Sequence, residues 1–242
     1  MRKSSSVVAG RVMKGVAIAG AAGAGWVALQ WLRYGHPVEG ADGDRDALLD
    51  RFMPTPDVVE RHRIVVGAPA EITLDAAARM ELGRLPVVRA VFAAREWLLG
   101  SRAGAQDVPP GLLEQTRALG WGTLAERPGR EIVMGAVTRP WEPNPTFRAV
   151  PPETFAAFDE PAYVKIAWTL RADPLGEGSS IFRTETRAVA TDAYARTRFR
   201  IYWALLSPGI WLIRRASLCP IRQAAERRAT PLAQAAGLPG HW

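Results

Sequence analysis

The alternating charges of residues 183–187 are the part of this 242-residue chain whose types and spacing could do chemistry. Arg183, Glu185 and Arg187 are two residues apart, so their side chains share one face if the segment is a strand. Such a row could orient a polar head group at the mouth of a cavity. It is also typical of an exposed ladder of opposite charges across neighbouring strands. Both interpretations stay open from the sequence.

Groups for nucleophilic or metal chemistry are scarce. His62 is the only histidine of the predicted domain, because His36 precedes it and His241 follows it, so a histidine metal triad is excluded. The single cysteine, Cys219, excludes an internal disulfide and a cysteine-based metal site. Neither a Gly-x-Ser-x-Gly elbow nor a phosphate loop occurs. The sequence therefore gives no catalytic residue, no metal ligand and no cofactor.

The composition is that of a globular protein with a basic balance. Hydrophobic residues make up 48% of the chain and the formal net charge is +7, which suits nucleic acid or an anionic membrane surface. The arginines are spread along the chain and no basic–aromatic nucleic-acid motif occurs. We therefore expect no nucleic-acid partner.

The N-terminal segment, residues 1–34, has the pattern of a membrane anchor. Residues 1–14 contain four basic residues and no acid, and residues 15–32 contain no charge. That length is at the lower limit for a spanning helix, and Trp26 and Trp31 fit an interfacial belt. The charge asymmetry predicts a single-pass cell-membrane protein with a cytoplasmic N-terminus and its domain on the outer, periplasmic or extracellular side. A cleaved signal peptide is the alternative.

Residues 35–56 are predicted to be a solvated linker. Aspartates at 42, 44 and 46 alternate like the start of a calcium loop, but Ala47 and Met53 stand where such a loop needs glycine and glutamate. A folded domain is predicted over residues 57–229, followed by a flexible tail over residues 230–242.

Strand and helix patterns follow one another along the predicted domain. Strands are predicted at 58–66, 121–126, 131–138, 147–150, 163–172 and 180–190. Helices are predicted at 71–82, 87–99 and 192–229, and a short helix or a turn at 112–119. In the fifth strand Val164, Ile166, Trp168 and Leu170 share one face, and Tyr163, Lys165, Thr169 and Arg171 share the other, which indicates a half-buried antiparallel sheet. The fold class is α+β.

The last helix is predicted to be amphipathic and kinked. Its apolar face is formed by Phe199, Tyr202, Leu206, Ile210, Ile213 and Ile221. Arginines, Arg214 among them, form the polar side. The sequence Ser207-Pro208-Gly209 predicts a break or sharp kink, and Pro220 predicts a second kink, because proline lacks the amide donor that a helix needs.

The order of elements and several short motifs resemble the START-like or SRPBCC superfamily, which has the helix-grip fold. The motifs are Tyr163-Val-Lys-Ile-Ala-Trp168, Thr184-Glu-Thr-Arg187, Thr191-Asp192, Phe199 with Tyr202-Trp203, Pro208, Ile213-Arg214 and Ala225-Glu226. The resemblance covers residues 57–229. It implies a curved antiparallel sheet wrapped around the long C-terminal helix, with an apolar cavity between them. Members bind lipids, sterols, polyketides or plant hormones, and a minority are enzymes such as cyclases.

Aromatic and apolar residues are the predicted lining of that cavity. They are Trp121, Met134, Trp141, Trp168, Phe182, Phe199, Tyr202 and Trp203. Tryptophans beyond the needs of a core suggest an amphipathic lining with indole donors, whereas plain core packing is the alternative. The predicted function is a membrane-anchored binding or transport domain for a hydrophobic small molecule or lipid. A polyketide cyclase-like enzyme and a partner-binding module with a collapsed pocket are the alternatives, and the sequence does not determine the oligomeric state.

Overall fold

The computed structural model describes residues 23–37, 45–100 and 109–235, and the side chains of this set up to residue 230. Residues 1–22 of the predicted anchor, residues 38–44 of the predicted linker and most of the predicted tail lie outside the described residues.

The alternating segments form one antiparallel sheet of six strands. The strands are β1 (Val58–Val66), β2 (Gly122–Arg127), β3 (Glu131–Thr138), β4 (Phe147–Arg148), β5 (Val164–Pro174) and β6 (Ser180–Ala190). Their order in the sheet is β1-β6-β5-β3-β2, and β4 also pairs with β3. The antiparallel sheet of the predicted α+β fold is thereby confirmed.

The two faces of the sheet have different partners. Seven helices complete the described residues: α1 (residues 23–33), α2 (Ala47–Asp50), α3 (Ala70–Ala78), α4 (Pro86–Leu99), α5 (Leu112–Ala118), α6 (Pro152–Phe155) and α7 (Ala193–Ala235). We call the face that packs against α3 and α7 the front face, and the face that packs against α2 and α6 the back face. Trp168 and Leu170 point to the front and Thr169 and Arg171 to the back, as their alternation predicts.

Helix α7 is continuous where the sequence predicts a break. It runs without interruption through Pro208 and Pro220 and ends at Ala235, beyond the predicted end at residue 229. Neighbouring helices support the proline turn: Nε1 of Trp26 in α1 donates to Oγ of Ser207 over 3.1 Å. A Cβ at Gly209 would lie 2.7 Å from Cγ1 of Val91 in α4. Packing thus outweighs the backbone hydrogen bond that proline removes; the kink itself stays a prediction.

The second half of the predicted solvated linker is folded against the sheet. Asp46 begins α2 by accepting a hydrogen bond from the Leu49 amide. Leu49, Phe52 and Met53 are buried against the back face. Because these apolar residues occur only as two short pairs, they show neither helical nor strand periodicity.

Helix α1 packs along α7. The indole of Trp203 donates to Oε1 of Gln30 over 3.2 Å, and Arg200 donates to the carbonyl oxygen of Trp31. The ring of Tyr34 meets Phe199 edge to face. Among the described residues, no helix is both long and apolar enough to cross a membrane.

Candidate functional site

The eight predicted lining residues all lie in front-face clusters, as two groups at different heights along α7. Met134, Trp168, Phe182 and the partly buried Trp121 pack with Leu218 and Ile221 of α7. Phe199, Trp203 and the partly buried Trp141 and Tyr202 pack with β1, β5 and β6. Trp168 and Phe182 are buried, as expected, with 6% and 0% exposure. Their role as a ligand-binding lining stays a prediction.

A polar group lies between these two apolar clusters. Glu60 and His62 of β1 pair in register with Thr186 and Thr184 of β6, so the four side chains form a square on the front face. Arg214 reaches this square from α7 and donates from Nη1 to Oγ1 of Thr184 over 2.6 Å. The square is thus a polar site under the middle of the long helix.

Arg214 is the most unusual member of this polar square. Burial lowers the pKa of its guanidinium to about 10, and the nearby charge of Glu60 acts in the opposite direction. The guanidinium also lies 6.0 Å from the centre of the Trp168 ring. A guanidinium has five N–H donors, yet among the described residues its only hydrogen-bond acceptor is Thr184. Arg214 is half-buried, so it offers partly desolvated donors to a further oxygen.

The other groups of the square are also incompletely paired. Nε2 of His62 is 2.9 Å from Oε1 of Glu60, without the alignment of a hydrogen bond, and Oγ1 of Thr186 has no partner among the described residues. The His62 ring lies 6.5 Å from that of Trp211. These atoms could accept or donate to the same polar ligand group as Arg214.

Little in the sequence marks this square. The predicted place of Arg214, on the polar side of the helix, was wrong, because its side chain lies against Thr184 of β6. The spacing of Arg214 was the available signal. Arg214 follows Ile210 by four residues and precedes Ile221 by seven, so it lies on the same side of the helix as the apolar residues. Thr184 and Thr186 alternate on one strand face but have no distinctive motif.

The three predicted mouth residues lie on the opposite side of the sheet. Arg183, Glu185 and Arg187 point to the back face, and Glu185 and Arg187 are buried rather than exposed. They therefore form neither the entrance to a space under α7 nor an exposed ladder. Arg187 donates to Glu185 and Asp50 and to the carbonyl oxygen of Met53, so it fastens α2 to the sheet.

The back face also carries a polar pocket of about 160 Å³. Arginines at 61, 63, 171 and 183 line it together with Asp46, Thr169 and Glu185. Glu185 accepts two hydrogen bonds from Arg61, and Asp173 accepts from both Arg171 and Arg183. The volume is below the roughly 300–1,000 Å³ of pockets for drug-sized ligands. The pocket therefore does not fit the predicted hydrophobic ligand.

A buried acid pair lies beside this pocket. Burial and a hydrogen bond with Asp46 raise the pKa of Glu131 to about 8, and the charges of Arg171 and Arg127 only partly oppose this. Oε1 of Glu131 has no partner among the described residues. Burial and the proximity of Asp46 thus favour the protonated form of this pair. Elsewhere in the described part of the chain, no group of three His, Cys, Asp or Glu residues could hold a metal ion.

The Glu131 carboxyl predicts a loss of stability as the pH rises. Its pKa in the folded protein, about 8, is above its ordinary value of 4.5, so the folded chain keeps a proton that the unfolded chain releases. Between pH 4.5 and about 8, the free energy of unfolding should fall by at most about 1.4 kcal/mol per pH unit. The stability that the Glu131 proton contributes is complete only below pH 4.5 and is lost as the pH rises through about 8. Urea unfolding across this window should show a shallower fall for Glu131→Gln.

The exposed Glu114, paired with Arg117, is the control for this prediction. Glu114→Gln should leave the pH dependence unchanged because a surface pair contributes little to stability. Equal pH profiles for the wild-type protein and Glu131→Gln would refute the assignment.

Comparison with known proteins gives few relatives. No protein-family model and no curated protein matches the chain. Among solved structures it is similar to CalU16 from Micromonospora echinospora, with TM-score 0.24, 12% identity and coverage of 73% of this chain and 87% of that one. It is also similar to the Zhui aromatase/cyclase from a Streptomyces species, with TM-score 0.22, 12% identity and coverage of 70% of this chain and 94% of that one. For the di-domain ARO/CYC BexL, the TM-score is 0.20, the identity is 15%, and the match covers 73% of this chain and 47% of that one.

Two of these three neighbours are thus named as aromatase/cyclase structures. TM-scores of this size carry no argument about the site. The fold assignment depends on the strand order and on the packing of α7 across the front face, and both agree with the element order of the resemblance.

Proposed function

We propose that the domain binds a hydrophobic small molecule between the front face and α7, with an anionic or carbonyl oxygen of the ligand against Arg214. The observation that carries this proposal is a half-buried guanidinium, desolvated enough to lower its pKa, with one hydrogen-bond acceptor among the described residues. Burying a cation without full pairing destabilises a fold. A residue with that cost is explained by a ligand that supplies the missing acceptor.

The surroundings of Arg214 support the apolar part of the ligand. Aromatic and aliphatic clusters lie on both sides of the polar square, and they contain all eight predicted lining residues. Pockets for small molecules combine such apolar walls with a few convergent polar groups. Thr186 and His62 are the next groups that could contact the ligand oxygen.

Cyclase-like catalysis is the second candidate function. The approach of Glu60 to within 2.9 Å of His62 supports it, because such a pair could move a proton beside an oxygen held by Arg214. Membrane anchoring through the N-terminal segment, with the domain on the outer side, remains part of the proposal because of the charge pattern of residues 1–32.

A matched pair of fluorescent probes tests the proposal. 1-Anilinonaphthalene-8-sulfonate and N-phenyl-1-naphthylamine share the same rings, and only the first carries an anionic group. We expect saturable binding of one sulfonate probe per chain, at least about tenfold tighter than the neutral probe, which equals about 1.4 kcal/mol. Equal affinities, or binding without saturation, would refute a site built around Arg214. Release of bound probe by a co-purified compound, identified by native mass spectrometry, would give the ligand class.

A further inference from the structure

Helix α4 exposes apolar residues on most of its surface. Its 14 residues include only three charges, Arg89, Arg95 and Glu96, and Val88 is its one buried residue. The side chain of Trp97 is 84% exposed, and about half of Phe92 is exposed as well. Helices that are apolar on all sides are typical of protein cores and membranes. Helix α4 is not enclosed in the core that the described residues form.

Two further helices extend this surface. Around Gly209 of α7, α4 contacts one side of the helix and α1 another, so the three helices adjoin there. Near this junction α7 exposes Ile201, Leu205, Trp211 and Leu212, and α1 exposes Leu29, Trp31 and Leu32. We call residues 23–33, α4 and residues 193–215 of α7 the three-helix face. Exposed apolar residues on three adjoining helices indicate an interaction surface rather than scattered surface residues.

The charge of the three-helix face identifies its partner. Apart from Arg214, which faces the sheet, residues 193–215 contain Arg196, Arg198, Arg200 and Arg215 and no Asp or Glu. The guanidinium of Arg200 lies 4.1 Å from the centre of the Trp31 ring, and that of Arg198 lies 5.5 Å from the centre of the Tyr194 ring. Tryptophan, leucine and arginine together are the composition of segments that lie in the interface of an anionic bilayer. A second copy of the chain would instead bring the same positive charge against this face.

The position of α1 agrees with a bilayer partner. The chain enters α1 from residues 1–22, whose sequence has four basic residues and then an uncharged run that begins at residue 15. Residues 23–33 thus belong both to the predicted anchor and to the three-helix face. A bilayer is the one partner that would meet both the N-terminal segment and this face.

We propose that the three-helix face docks the domain on the surface of a bilayer that contains anionic lipid. Its apolar side chains enter the boundary between head groups and acyl chains, while the arginines around them contact lipid phosphates. The inference is independent of the ligand site under α7, because it depends on residues that point away from the sheet.

A fluorescent label at a single cysteine reports docking locally, so attachment by the N-terminal segment alone cannot imitate it. The full chain with Cys219→Ser is the background, since Cys219 is its only cysteine. Leu98→Cys places an environment-sensitive nitrobenzoxadiazole label on α4, and Leu175→Cys places it on the β5–β6 connection. The two leucines are 50% and 52% exposed, which makes them a matched pair.

Vesicles of phosphatidylcholine with phosphatidylserine should shift the emission of the label at position 98 to the blue, and a lipid-borne quencher should quench it. The label at position 175 should not respond, and vesicles of phosphatidylcholine alone should give a weaker response. The double substitution Phe92→Ser and Trp97→Ser should weaken the response at position 98 by at least about tenfold, because two exposed apolar side chains that would enter the bilayer are lost. Thermal unfolding of each variant verifies the fold.

Three results would overturn the proposal. The first is no response at position 98 with anionic vesicles, and the second is an equal response at positions 98 and 175. The third is a response at position 98 that appears without lipid and grows with protein concentration, which would identify the face as a contact between copies of the chain.

Discussion

Arg214→Met should abolish the preference for the anionic probe while leaving the fold intact or more stable. The sulfonate probe loses its charge partner, so its affinity should fall at least about tenfold, whereas the neutral probe should bind as before. Replacing a buried, poorly paired cation by an apolar side chain of similar volume is often neutral or stabilising by about 1–4 kcal/mol. Probe titration and the thermal midpoint, measured on the same preparation, test both parts.

Arg215→Met is the control for Arg214→Met. Arg215 is the next residue of α7 and is exposed, so its removal changes net charge equally without touching the polar square. Equal losses of probe affinity in the two variants would mean that overall charge, and not Arg214, attracts the probe. A lower midpoint for Arg214→Met would assign this residue to structure and contradict the proposed function.

Arg187→Met should have the opposite outcome, with a large loss of stability. Its guanidinium contacts Oε1 of Glu185 and Oδ1 of Asp50, both at 2.6 Å, and the Met53 carbonyl oxygen at 2.7 Å. Removing it leaves the carboxylate of Glu185, which is itself buried, with Arg61 as its one remaining described ion-pair partner. Breaking a buried ion pair from one side costs about 3–5 kcal/mol. Urea unfolding should show a corresponding shift of the midpoint.

Arg84→Met gives the comparison for Arg187→Met. Arg84 pairs with Glu81 on the surface, with 79% of its side chain exposed, and such pairs contribute about 0–1 kcal/mol. A loss for Arg187→Met no larger than that for Arg84→Met would show that α2 is held to the sheet by its apolar residues alone.

The contrast between Arg187 and Arg214 shows what the sequence could predict. Alternation correctly grouped Trp168 with Leu170 on one face of β5, and Arg187 with Arg183 and Glu185 on one face of β6, because strand geometry fixes the relation of side chains within a strand. The register between strands and the face that α7 covers are tertiary properties, so Arg187 was predicted at the cavity that Trp168 lines. The position of Arg214 was missed because arginine on a helix is ordinarily solvated, and only packing reveals that this one is half-buried and desolvated.

Strand bounds were predicted better than helix ends. Strands β1, β3 and β6 have the predicted bounds, whereas α7 continues to Ala235, beyond its predicted end at residue 229. The helix α2 was missed because four residues are too few for a periodic signal. The continuity of α7 at Pro208 was missed because it depends on Trp26 and Val91, which are distant in sequence.

The pairing of β1 with β6 determines when this fold can be completed during synthesis. Arg61 and Glu185 form an ion pair across 124 residues of sequence. Strand β1 therefore cannot pair with its neighbour in the sheet until β6 has been synthesised. Long-range pairing of this kind slows folding, and an unpaired strand edge is prone to aggregate meanwhile. On the ribosome, β1 therefore remains without its sheet neighbour until almost four-fifths of the chain has emerged, which makes nascent chains of this protein candidates for chaperone binding.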